Sequence, residues 1–152
     1  LIGKPNDGKT FFALYLGFHI GAGEPVLGRK VPPIDDYAGP VLYIAGEGGK
    51  GIDNRIEALR RTHPDMCAIC EKDDLFVLMK VMVDFCGKLD AVALVDAIGM
   101  KCADPSLIVV DTLAMAFAGG DENSAKDMGQ FIANCNILRA RTGAHVMIKR
   151  WS

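Results

Sequence analysis

The stretch LIGKPNDGKTFF, Leu1 to Phe12, decides how the rest of the chain is read. Within it, Gly3, Gly8, Lys9 and Thr10 form G-x-x-x-x-G-K-T, the pattern of a loop that cradles phosphate between a β-strand and a helix. The glycines let successive backbone N–H groups turn toward one anion, and the positive end of the following helix dipole points the same way. Lys4, Pro5, Asn6 and Asp7 complete the loop, so Gly3 to Thr10 is the expected nucleotide-binding segment. Lys9 is expected to reach the β- and γ-phosphates as a point charge, and the Thr10 hydroxyl to coordinate Mg²⁺. Only Leu1 and Ile2 precede the loop, and there is no initiating Met or leader, so the chain reads as an internal fragment lacking most of its first strand.

Outward from the loop, FFALYLGFHIGAG (11–23) is apolar almost all round, which predicts a buried helix with Gly21 and Gly23 as stop signals. The segment 23–40 is rich in Gly, Pro and Asp and reads as a connection. VLYIA (41–45) is a short apolar run, hence a buried strand ending at GEGGKG, and Ile52, Ile56 and Leu59 then share one helical face. FVLM (76–79) reads as a strand and LDAVALVDAIGMKC (89–102) as a helix. LIVV (107–110) is the clearest strand, introduced by the turn pair Asp104-Pro105 and ended by Asp111. Ser124 and Asp127 resemble a capping pair before a helix whose apolar face carries Met128, Phe131, Ile132, Cys135 and Leu138. Thr142-Gly143 breaks it, and AHVMI makes a last strand. Strands alternating with helices imply an α/β fold, a mainly parallel sheet with helices on both faces, spread over one domain, 1–152.

In such a sheet the strand ends open on one edge, where ligands bind. Asp111 ends LIVV there, as a carboxylate suited to Mg²⁺ through a coordinated water. Glu47 follows VLYIA as Asp111 follows LIVV, so it can orient the attacking water and accept its proton. Read without the phosphate loop, Asp111 is equally at home as a residue capping the loop after its strand, and the alternative for Glu47 is an exposed residue in a glycine turn.

The 152 residues suit one core-bearing domain, half of them are apolar, and no apolar run approaches the ~20 of a membrane helix. A net charge of −2 exerts no general pull toward nucleic acid. Five cysteines, an odd number without regular spacing, point to a reducing cytosol. Cys67 and Cys70 form a C-x-x-C close after His63, but no second pair completes a metal site, and they are read as chance cysteines in a connection. His19 is read as a packed helix residue, His145 likewise as a strand residue, and Arg55, Arg60 and Arg61 as a solvated basic face.

GKPNDGKT, VLYIAGEGGKGIDNRIEAL, LIVVDTLAMAFAGGDENSAKDM and TGAHVMI together resemble the RecA-like ATPase family, specifically the RepA-like hexameric helicase branch common in phage, plasmids and prophages. The likeness covers nearly the whole chain. It implies a RecA-like P-loop NTPase core that binds ATP through Lys9 and Thr10, uses Glu47 as catalytic base and supports Mg²⁺ through Asp111. It also implies a homo-oligomeric ring that unwinds DNA during replication, and places Asp121, Glu122, Asn123 and Ser124 beside the nucleotide or a neighbouring subunit. The chain departs from the family after TGAHVMI, where a His-His pair is expected and Lys149-Arg150-Trp151-Ser152 stands instead; the family's C-terminal part, with its arginine finger, is also expected to be missing. Lys149 is read as a frayed end, with a substitute γ-phosphate sensor as the alternative. Two rival functions remain: a small-molecule kinase, for which no Arg-rich lid is visible, and a non-catalytic nucleotide-binding or assembly fragment.

Overall fold

A computed structural model describes residues 1–4, 6–31, 39–46, 50–81, 83–86, 91–117 and 120–151. The strands are β1 (Ile2–Gly3), β2 (Val41–Ala45), β3 (Phe76–Met79), β4 (Leu107–Asp111) and β5 (His145–Trp151). The helices are α1 (Lys9–Ala22), α2 (Lys50–Thr62), α3 (Pro64–Lys72), α4 (Ala91–Gly99), α5 (Leu113–Ala116) and α6 (Ala125–Thr142). The strands form one sheet in the order β1-β5-β4-β2-β3, with every pairing parallel. This is the α/β architecture expected from the alternation of elements. No helix among the described residues is long and apolar enough to cross a membrane.

Side chains of a strand point alternately to opposite faces, and here each face has its own core. Leu42, Ile44, Ile108 and Val110 pack with Leu94 and Ile98 of α4, Leu113 of α5, and Phe131 and Leu138 of α6. Val41, Tyr43, Leu107 and Val109 pack on the other face with Leu14 and Phe18 of α1, Ile52 and Ile56 of α2, and Cys67 and Cys70 of α3. A sheet covered on both sides explains why β2 and β4 read as continuous apolar runs, since all five residues of each are buried.

Several elements differ from the sequence reading. Gly21 lies inside α1 rather than ending it, because a Cβ there would stand 2.7 Å from the Leu75 carbonyl oxygen; the helix is capped at Gly23. The segment holding Cys67 and Cys70 is the helix α3, with Pro64 in its first turn and Met66, Cys67 and Cys70 buried. The helix read over 89–102 is described as Ala91–Gly99. The cap of α6 forms as expected, with Ser124 Oγ accepting from the Asp127 N–H at 3.3 Å.

The frayed-end reading of Lys149 is corrected. β5 runs past AHVMI, pairing Lys149 with Asp111 of β4 on one side and Arg150 with Ile2 of β1 on the other. The Ile148 carbonyl accepts from Leu1 N at 2.9 Å and the Arg150 N–H donates to the Leu1 carbonyl at 2.8 Å, so the strand around Lys149 is held by its neighbours.

Candidate functional site

The loop between β1 and α1 folds around its own lysine. Gly8 takes φ of 76°, a left-handed conformation that glycine adopts without a Cβ penalty, and starts α1 with no side-chain cap. The first-turn N–H groups of α1 therefore face the loop rather than a capping oxygen. Asp7 Oδ2 accepts from the Lys4 N–H at 2.7 Å, and Asn6 also has positive φ, 66°. Lys9 is 6% exposed; its ammonium donates to the Gly3 carbonyl at 2.6 Å and to the Lys4 carbonyl. The predicted segment thus forms one compact loop, except that Pro5 lies outside the described residues.

Thr10, one residue into α1, brings the loop to the sheet. Its hydroxyl donates toward Asp111 Oδ2 at 3.3 Å, uniting the two expected metal donors, although 101 residues separate them in the chain. Asp111 is 5% exposed. Its Oδ2 also accepts from the Tyr43 hydroxyl at 2.5 Å, and its Oδ1 forms an ion pair with the Lys149 ammonium. Lys149, 2% exposed, donates in turn to Thr10 Oγ1 at 2.7 Å. Strand geometry explains the meeting. Tyr43, Asp111 and Lys149 each fall on the α1 side of their strands by the two-residue alternation, and Asp111 and Lys149 are direct register partners.

Asn6, Gly8, Lys9, Thr10, Phe11, Arg55 and Lys149 line an open cleft of about 180 Å³ above this cluster. Among the described residues three side-chain cations border the space, not Lys9 alone. Arg55 lines the cleft from α2. Arg60 and Arg61 pair with Glu71 at 2.6 Å and Glu57 at 3.0 Å on the exposed side.

Glu47 lies outside the described residues. Gly46, which precedes it, donates its N–H to the Asp111 carbonyl at 2.8 Å, so the chain leaves β2 beside Asp111. Asp121, Asn123 and Ser124 build the turn that caps α6: the Asp121 N–H donates to Asp127 Oδ2 at 3.0 Å and the Asn123 N–H to Asp121 Oδ1 at 2.9 Å. Glu122 stands 3.9 Å from Arg150 at the end of β5.

His19 is buried, its ring 4.1 Å from that of Tyr15 and 6.0 Å from that of His63. Burial pushes the Cys70 thiol up to about 12 and also raises Cys67. No cluster of three or more His, Cys, Asp or Glu among the described residues could hold a metal ion.

The donor chemistry of Thr10 and Asp111 suits Mg²⁺, a hard cation that takes hydroxyl and carboxylate oxygens. Their arrangement does not admit it as it stands, because the ammonium of Lys149 touches both residues.

A family model for the AAA domain matches residues 1–149. No curated protein matches the chain.

Proposed function

The chain belongs to the AAA domain family, which makes it a P-loop ATPase-type protein with a RecA-like core, and from that premise we propose that it binds ATP in the Lys9 cleft and hydrolyses it to drive DNA unwinding. The observation that supports this reading is the juxtaposition of loop, Thr10 and Asp111 at one sheet edge, beneath a cleft bordered by Lys9, Arg55 and Lys149. Three cations around one small cleft suit a triphosphate better than a neutral ligand.

In this reading the α1 N–H groups and Gly8 hold the phosphates, and Lys9 exchanges the Gly3 and Lys4 carbonyls for β- and γ-phosphate oxygens. The exchange replaces neutral acceptors by charged ones, so the loop opens onto its ligand at little net loss. Arg55 adds charge from the α2 side of the cleft. Glu47, the residue after Gly46 in the sequence, orients the attacking water and takes its proton. Mg²⁺, when bound with the nucleotide, supplies charge neutralisation on the phosphate oxygens. The unwinding role and the homo-oligomeric ring rest on the likeness of the quoted segments to RepA-like helicases, and a cytoplasmic setting on the cysteine usage.

Phosphate release with ATP as the sole substrate tests the proposal. Glu47→Gln keeps shape and hydrogen bonding but removes the base, so turnover should fall by about 10²-fold or more while an ATP analogue still binds. Near-normal turnover in the variant would remove Glu47 from the chemistry. Turnover that requires an added acceptor would instead identify a kinase, and binding with no turnover in the wild type a non-catalytic module.

A further inference from the structure

Lys149 stands where the site has no use for a spectator. Its ammonium donates to Thr10 Oγ1 at 2.7 Å and is ion-paired with Asp111 Oδ1, so it touches both residues expected to hold a divalent ion. The contact is built into the sheet: Lys149 and Asp111 are register partners on adjacent parallel strands and point to the same face. Both are almost wholly buried, at 2% and 5% exposure. A buried carboxylate needs a compensating positive charge, and here the chain carries that charge itself.

We propose that the Lys149 ammonium is the resident cation of the Thr10–Asp111 pair, holding the metal donors in place in the nucleotide-free protein and keeping free divalent ions out. The inference rests on the reading of Thr10 and Asp111 as metal donors. Mg²⁺ binds oxygen at about 2.0–2.1 Å and demands near-octahedral order. It would sit within a few ångströms of the ammonium, where two cations repel strongly in a buried setting. Metal therefore enters only when Lys149 gains another anionic partner. The cleft provides for this, since Lys149 lines it together with Lys9 and a triphosphate bound there presents oxygens to both. Metal occupancy becomes conditional on nucleotide.

The test is a titration of nucleotide-free protein with Mn²⁺, followed by loss of the free-ion EPR signal. Wild type and Asp111→Asn should bind Mn²⁺ equally weakly, because Asp111 holds no metal while Lys149 is present. Lys149→Met keeps an unbranched side chain but removes the charge, and should bind one Mn²⁺ at least tenfold more tightly than wild type. Adding Asp111→Asn to Lys149→Met should abolish the gain. In melting experiments Mg²⁺ should raise the Tm of Lys149→Met and leave that of wild type unchanged. Wild type binding Mn²⁺ more tightly than Asp111→Asn would overturn the proposal, and that comparison stands even if Lys149→Met fails to fold. A gain in Lys149→Met that survives loss of Asp111 would overturn it as well. Because no nucleotide is present, these outcomes are separate from whether the cleft binds ATP.

Discussion

Asp111 shows how much one carboxylate can organise. Its two oxygens are divided among Tyr43, Thr10 and Lys149, residues from β2, α1 and β5. Tyr43 has no exposed surface, so its hydroxyl is bound to find a buried acceptor, and the 2.5 Å contact to Asp111 Oδ2 provides one. Tyr43→Phe should destabilise the fold by about 1.5–3 kcal/mol, the scale of a hydrogen bond to a charged group, read as a lower urea midpoint. A variant as stable as wild type would mean that the hydroxyl leaves Asp111 unsupported. At this scale the sequence was legible wherever a motif fixes the spacing: Gly3, Gly8, Lys9 and Thr10 announce their loop, and Asp111 ends an unmistakable strand. Tyr43 carries no such signal, and Lys149 is marked only by standing where the resembled family has its histidine pair. Tyr43 lies within an apolar run, and the contact of Lys149 with Asp111 follows only from the pairing of their strands.

Among the elements, α1 is the hinge between loop and core, and its packing is closest at Gly21. A Cβ at that position would stand 2.7 Å from the Leu75 carbonyl oxygen and 3.3 Å from Cys70 Sγ. Alanine is the better helix former by about 1 kcal/mol. Overpacking of a filled core costs about 1–3 kcal/mol, and the oxygen belongs to backbone that cannot swing aside. Gly21→Ala should therefore lower the Tm; a raised Tm would show that α1 does not sit so close to the turn before β3. The same contact explains why glycine misleads as a stop signal here: it marks a close approach, while the true cap is Gly23. Helix α3 was missed for a different reason. It spans only nine residues, too few for a periodic pattern to stand out from a connection, although Pro64 in the first turn and the buried Met66, Cys67 and Cys70 are ordinary marks of a short buried helix.

For the molecule as a whole, the fold class was legible because β2 and β4 read as fully buried strands between amphipathic helices. The strand order was not, since no local pattern states which strand lies beside which. That order puts β5 between the strand of the phosphate loop and the strand of Asp111, and through it Lys149 reaches Thr10. The cleft that results is bordered by three cations from α1, α2 and β5, and the central claim is that it holds a nucleoside triphosphate. Calorimetric titration with a non-hydrolysable ATP analogue, wild type against Lys9→Ala, tests this most directly. The account predicts saturable binding of one nucleotide by wild type and at least tenfold weaker binding by the variant, since a charge-assisted phosphate contact worth about 1.5–3 kcal/mol is lost while Arg55 and Lys149 remain. Equal affinities in the two proteins, with both folded, would contradict it.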